Sequence, residues 1–561
     1  MQKKFINKYS IILILVLLFH IGNNIYFLYR DNMPLVWETY SYHKHSVDNY
    51  EQFKQGNLSG LSDQYLFYFR SPFVFSPSFL MYPFFGTSED VAAFQGTIFL
   101  VILIIATYLL GKELFNRDVG LLTATIVSFS PYLLAFSKTV FEDIAFVAMF
   151  TLILYFFVKS KKFSDIRYIW LFNISLGLTL LSRFNAFIIL LFIIITYVIL
   201  KLLFDRKDFK NYFLKSNRRN IAHFMASFFV SMILPLFFYL RSKAAFLCIY
   251  YPPNIQGISF LLIYIPKALV SYLKTIPINF EYFIFFIISF IFFLFFSKKN
   301  KLFIISLIIG ANLYTLVVLY MYTIPADTIS RYMLFMKTIY VLIISLFIYE
   351  FFYNLRSKVF RKSKIRFLSK IKYVFLITLL LLVILVPLTV FFNYNPKLKG
   401  PIPLSSTFGK YHPSKIEYNN EELLSDLLAV SKKENITVLV YFPLNSFTTD
   451  LNSLASFNYE NRIEIINVFF ASDVLEFRGS FNRPIDKSYF AENNFFYVKR
   501  LSELDFIIME PEQSRSNSAE FDSYHKQIIS HIQDNSNNFE ILKKIAVDDF
   551  NTTLYVYKTK K

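Results

Sequence analysis

The sequence predicts a polytopic α-helical membrane protein of about eleven transmembrane helices, followed by a mixed α/β domain outside the cytoplasm. Three observations predict it. Hydrophobic types make up 55% of the 561 residues and charged types 17%, against about 25% charged in an ordinary soluble domain. Apolar windows of about 20 residues, enough to cross a bilayer, recur up to residue 393. Basic residues gather in alternate connecting segments, as cytoplasmic loops require. With a mean hydropathy of +0.44, these exclude a disordered, fibrous or wholly soluble chain. Cys248 is the single cysteine, so no intrachain disulfide and no cysteine-based zinc site can form.

The first window, 10–29, follows the basic start Met1–Lys8 and lacks a small-residue cleavage site, so it is expected to stay as a signal anchor. Further windows lie at 95–111, 119–136, 144–158, 168–184, 186–204, 222–240, 280–297, 302–322, 332–352 and 373–393. With the N-terminus in the cytoplasm, the inner segments and adjoining helix ends carry about 27 basic and 6 acidic residues. The outer segments up to 393 carry about 12 and 11. The net charge of +19 is therefore topological, and nucleic acid is not an expected partner. An odd number of spans puts the C-terminal region outside, which predicts a plasma-membrane protein with a cytoplasmic N-terminus.

Residues 1–393 form the expected transmembrane domain, with long outer loops at 30–94 and 241–279. The first loop contains an aromatic stretch, 71–85, interrupted by Pro72, Pro77 and Pro83. Three prolines preclude a straight spanning helix, and the stretch is expected at the interface or against other helices. The second loop predicts an interfacial helix. Residues 394–561 change character, with about 19 basic and 22 acidic residues. Short β-rich runs at 437–442, 463–470, 505–509 and 553–557, and helical patterns at 417–432 and 518–534, predict a small α/β domain.

Ionisable residues beside the outer ends of spans are the candidates for chemistry, because charge at membrane depth is expensive. They are Glu38 after the first span, Lys138, Glu142 and Asp143 between the third and fourth, Arg183 at the end of the fifth, and Arg331 opening the tenth. All fall on one side at similar depth. Carboxylates with several cations could hold a divalent metal, activate a hydroxyl or hold an anionic head group. Each also has a plainer reading: a solvated loop acid for Glu38 and Glu142, a snorkelling anchor for Arg183 and Arg331. His43 and His45 read as surface histidines. Asn57, Asn173, Asn435 and Asn551 begin N-x-Ser/Thr triplets, with Asn173 inside an expected span. No P-loop, Rossmann glycine fingerprint or His-Glu-x-x-His motif is present.

These residues resemble the C-class polytopic glycosyltransferases that use polyprenyl-phosphate sugars, in the branch of protein O-mannosyltransferases and the aminoarabinose transferase of lipid A. Trp37-Glu38 with Tyr40 or Tyr42 resembles the family's acidic motif on the first outer loop, with one acid of the usual pair. Ser71-Pro72-Phe73 through Phe85-Gly86 is similar to a later element of that loop. The run from Gly111 through Arg117 to Gly120, then Ser130-Pro131 leading to Lys138 and Asp143, is the best local match. Gly177 to Asn185 resembles a segment that usually has lysine where Arg183 stands, and Arg331-Tyr332 resembles the late Arg-Tyr pair.

The resemblance implies an inverting hexosyl- or pentosyltransferase acting on the outer face. Glu38 is the implied base on the acceptor hydroxyl, and Asp143 orients the acceptor or a metal. Lys138, Arg183 and Arg331 are implied ligands of the donor phosphate, whose growing charge needs cations or a divalent metal. Tyr40, Tyr42, Glu142 and Tyr332 would line the substrate. The implied partners are a polyprenyl-phosphate sugar, a lipid, glycan or protein acceptor, and membrane lipids. The alternatives are a transporter or lipid flippase, which would favour two similar halves, and a non-catalytic glycan-assembly scaffold.

Overall fold

The computed structural model describes residues 8–30, 37–57, 72–160, 163–183, 185–204, 218–241, 283–296, 300–322 and 334–354, together with five strands between 438 and 559. Contacts divide the chain into two units, one of residues 1–29 and 45–413, the other of 30–44 and 414–561.

The first unit is helical among its described residues. Its helices are α1 (Lys8–Arg30), the later part of α2 (Trp37–Lys54), α3 (Pro72–Phe85), α4 (Glu89–Leu114), α5 (Arg117–Ser128), α6 (Pro131–Phe136), α7 (Glu142–Lys159), α8 (Ile166–Ser182), α9 (Asn185–Phe204), α10 (Arg218–Arg241), α11 (Phe283–Phe296), α12 (Lys301–Tyr322) and α13 (Leu334–Asn354). Four described helices are long and apolar enough to cross a membrane: Tyr9–Arg30, Glu89–Leu114, Ala186–Phe204 and Arg219–Tyr239. They make the chain an integral membrane protein.

Helix ends follow from local chemistry. Ser88 caps α4, its hydroxyl accepting from the Val91 N–H at 3.4 Å, with Glu89 and Asp90 in the first turn. Asn116 caps α5 by accepting from the Val119 N–H at 2.9 Å. Helix α4 is the centre of the packing, with α3, α5 and α7 against it; α8 lies on α7 and α10, and α13 on α5, α7 and α11. The core between them is aliphatic and aromatic, with Leu100, Ile144, Phe150 and Phe335 fully or almost fully buried. Outward faces such as Leu15, Leu18, Ile195, Phe229 and Ile233 are exposed and apolar, as lipid contact demands.

Several expectations change. The window 119–136 is two helices, broken at Phe129-Ser130 because Pro131 lacks the N–H that would continue the ladder. The stretch 71–85 is helical from Pro72 despite Pro77 and Pro83, but fourteen residues reach only about 21 Å and do not span. Within it Val74, Phe75, Ser78 and Tyr82 are buried, while Leu80, Phe84 and Phe85 are exposed. Asn173 is no glycan acceptor: it is fully buried, and its amide donates to Ser227 Oγ at 2.6 Å.

The second unit holds a five-stranded mixed sheet, order β2-β1-β3-β5-β4. Its strands are β1 (Val438–Tyr441), β2 (Ile463–Ile466), β3 (Phe506–Met509), β4 (Phe539–Val547) and β5 (Thr552–Thr559). β1 runs parallel to both neighbours, with Val438 opposite Ile463 and Val440 opposite Phe506. β5 is antiparallel to β3 and β4, with an irregularity between Ile541 and Lys543. β4 was not expected from the sequence. The start of α2, through Lys44, also belongs to this unit, and a helix within 30–94 was not expected either. His43 on it is buried rather than surface-exposed. The expected helices at 417–432 and 518–534, the window 373–393 and the interfacial helix in 241–279 lie outside the described residues.

Candidate functional site

Among the described residues of the helical unit, the densest charge cluster forms where α7 begins. Glu142 and Asp143 occupy the first turn of α7, where the helix dipole favours negative charge. Arg183 ends α8 in extended backbone; its N–H bonds Thr179 O at 2.8 Å, and its carbonyl accepts from the Ala186 N–H at 3.2 Å. Two helix ends thus fix the arginine. Its Nε donates to Glu142 Oε1 at 2.8 Å, and its Nη1 lies 3.0 Å from Asp143 Oδ1. The Arg183 and Asp143 side chains are 7% and 1% exposed. Two acids against one guanidinium leave the triad at a formal −1.

Lys138 lies on the turn between α6 and α7, five residues before Asp143, and is buried. Its Nζ sits 4.2 Å from the centre of the Phe27 ring of α1, a cation–π distance. The loop packs tightly on α4: a Cβ on Gly96 would lie 2.6 Å from Ser137 O and 2.9 Å from Thr139 O.

The sequence reading missed the polar contacts beneath this loop. Asn24, fully buried in α1, donates from Nδ2 to Thr97 Oγ1 at 3.0 Å, Ser137 Oγ at 3.0 Å and Ser137 O at 3.3 Å. Next to Gly96, Gln95 Oε1 accepts from Ser78 of α3 at 2.7 Å. Successive residues of one turn of α4 therefore meet three neighbours: α3, the Lys138 loop and α1. The available signal was the run of polar residues His20, Asn23 and Asn24 inside an apolar window, read only as an anchor.

The opposite end of the bundle has its own polar contacts. Tyr9 donates to Asp118 at 2.9 Å, Lys159 to Glu113 at 2.7 Å, and the Asn300 amide to Leu114 O at 2.8 Å. The Glu113 hydrogen bond, the largest influence, holds the Lys159 ammonium above its ordinary 10.5.

The structure thus brings Glu142, Asp143 and Arg183 together, with Lys138 on the adjoining loop. Glu38, Tyr40 and Tyr42 lie on α2 in the second unit. Positions 38 and 42 are one turn apart on the same helix face, while position 40 is not on that face. Tyr42 is fully buried. Arg331 and Tyr332 lie outside the described residues. Among the described residues no group of three or more His, Cys, Asp or Glu could hold a metal. The two clustered carboxylates face Arg183, so as arranged they do not fit a divalent ion.

Residues 72–241 match the family model of dolichyl-phosphate-mannose-protein mannosyltransferase. No curated protein matches the chain. The apo oligosaccharyltransferase of Archaeoglobus fulgidus is similar in structure, with a TM-score of 0.56 and 14% identity over 91% of this chain and 70% of that one. The oligosaccharyltransferase AglB from Archaeoglobus fulgidus, in complex with an inhibitory peptide and a dolichol-phosphate, gives 0.54 and 12% over 90% and 69%. Apo ArnT from Cupriavidus metallidurans gives 0.50 and 10% over 98% and 97%. The resemblance drawn from the sequence therefore holds: the chain is similar to the dolichyl-phosphate-mannose-protein mannosyltransferases across residues 72–241 and shares the fold of the archaeal oligosaccharyltransferase and ArnT.

Proposed function

We propose that the chain is a membrane glycosyltransferase that moves a sugar from a polyprenyl-phosphate donor to an acceptor hydroxyl on the outer face, inverting the anomeric centre. One observation carries this reading. The Arg183–Glu142–Asp143 cluster, with Arg183 and Asp143 buried, and the Lys138 loop fall at one end of the bundle, inside the segment that matches the mannosyltransferase family. A dolichol-phosphate on the structurally similar AglB supports a lipid phosphate as leaving group. The basic segments support a cytoplasmic position for the opposite end, with Lys159 and Lys301.

In the proposed reaction the acceptor oxygen attacks the anomeric carbon while the Glu38 carboxylate takes its proton. The bond from that carbon to the phosphate oxygen breaks, and its electron pair leaves with the lipid phosphate. Lys138 and Arg331 meet the growing charge there. Arg183, expected as a third phosphate ligand, is proposed instead to fix Asp143, which orients the acceptor. Tyr42, Glu142 and Tyr332 complete the substrate lining, and helix geometry favours Tyr42 over Tyr40 as the partner of Glu38.

The test is transfer by purified protein from a panel of polyprenyl-phosphate sugars. Glu38→Gln and Asp143→Asn should each lower turnover at least about 100-fold with protein yield retained, because Glu142 still neutralises Arg183 when Asp143 is changed. Near wild-type turnover in both would remove these roles. Arg331→Ala should raise the donor KM, and an unchanged donor response would leave it an interface anchor.

A further inference from the structure

We infer that Asn24, in the C-terminal third of the first membrane helix, is a positioning residue that sets where Lys138 stands and thereby tunes donor binding. The inference rests on the glycosyltransferase reading for its link to the donor, and on geometry alone for its link to Lys138. An amide within a membrane helix is costly to bury and is tolerated where it finds partners. The Asn24 Nδ2 has three acceptors within 3.3 Å, and two of them belong to Ser137, the residue before Lys138. The third, Thr97 Oγ1, belongs to α4. One side chain thus ties α1, α4 and the α6–α7 turn together.

Phe27 stands three residues further along α1, on the same face as Asn24, and receives the Lys138 ammonium at 4.2 Å. The residue before Lys138 and the lysine's own charge are thus held by adjacent turns of one helix. Gly96 closes the arrangement from below, because only a glycine there lets Ser137 O approach α4 so nearly. Ser137 is pinned further by its own hydroxyl, which donates to Leu134 O at 2.8 Å. Lys138 has little freedom while Asn24 is in place. Loss of the amide releases Ser137 on the α1 side and lets the lysine leave the Phe27 ring.

The test has two arms, with Asn24→Ala and, as a milder second variant, Thr97→Val. The first arm labels folded, detergent-solubilised protein with a small amine reagent and quantifies the Lys138 peptide by mass spectrometry. Wild type should be protected, and both variants should label at least about fivefold faster, Asn24→Ala more so. The second arm measures transfer against donor and acceptor concentration. Donor KM should rise about tenfold and kcat should fall with it, since Lys138 also meets the leaving-group charge, while acceptor KM changes less than about twofold. A purely structural defect would lower the active fraction, hence kcat, and leave both KM values alone. Unchanged Lys138 labelling in both variants overturns the inference, as does a wild-type donor KM in an active Asn24→Ala protein. Absence of wild-type transfer from every polyprenyl-phosphate donor overturns the function reading, and the labelling arm then decides the position of Lys138 by itself.

Discussion

Replacing Arg183 by methionine should unbalance the α7 cluster more than any other single change there. Methionine keeps much of the volume and removes the charge. At an effective dielectric of about 20, each of the contacts to Glu142 and Asp143 carries about 5–6 kcal/mol of gross attraction. Desolvation of the three groups offsets most of that. What Arg183→Met leaves behind is two carboxylates on adjacent residues, one of them 1% exposed, with no guanidinium between them. Breaking a buried pair from one side costs about 3–5 kcal/mol, and the α7 dipole offsets about 1 kcal/mol of it. The assay is thermal unfolding in one detergent, read as the fraction still monodisperse after heating. For a chain of 561 residues a midpoint drop of about 2–3 °C is expected. Arg183→Lys should fall between, losing about 1.5–3 kcal/mol with one charged hydrogen bond. The cycle of Arg183→Met with Asp143→Asn should show a coupling of at least about 1 kcal/mol, the double variant being less harmed than the sum. A midpoint within 1 °C of wild type for Arg183→Met, or strictly additive effects, would refute the reasoning.

Gly96→Val should cost about 1–3 kcal/mol, because its Cβ has no room against Ser137 O and Thr139 O; a drop in the same thermal assay measures it. Lys159 gives a pH-dependent prediction. Its folded value lies above 10.5, so its contribution is fully present below 10.5 and is lost as pH rises through the folded value. With the pair 30% and 25% exposed, that contribution is at most about 1 kcal/mol. Lys159→Gln should therefore be slightly less stable than wild type at pH 8, and the gap should close as pH rises through the folded value.

The apolar windows were legible because a bilayer imposes a length on every span, and ten of the eleven overlie described helices. The break at Phe129-Ser130 was legible too, since Pro131 was in view, but mean hydropathy smooths over a missing hydrogen bond. Strand β4 escaped because Lys543-Lys544 interrupts its apolar run, next to the register irregularity between Ile541 and Lys543. Glu142, Asp143 and Arg183 could each be flagged as ionisable near a membrane surface, yet 41 residues separate Glu142 from its partner and only folding pairs them. Asn24 was hidden by its setting. A polar residue in a window of high hydropathy lowers an average slightly, whereas its importance depends on what lies across the helix interface.

The close approach of α4 and α5 bears on how the protein enters the membrane. A Cβ on Gly111 would meet Gly120 Cα at 2.8 Å, and one on Gly120 would meet Tyr108 O at 2.5 Å. Only Phe115 and Asn116 separate the two helices. Twelve residues make α5 about 18 Å long, too short to bridge about 30 Å of hydrocarbon. Such a segment is a poor candidate for release into lipid by itself. It is best delivered already clasped to α4, as one hairpin leaving the translocation machinery together. Substitutions at Gly111 or Gly120 should then reveal themselves during biogenesis, as chains degraded before assembly, with the mature molecules that survive still catalytically sound.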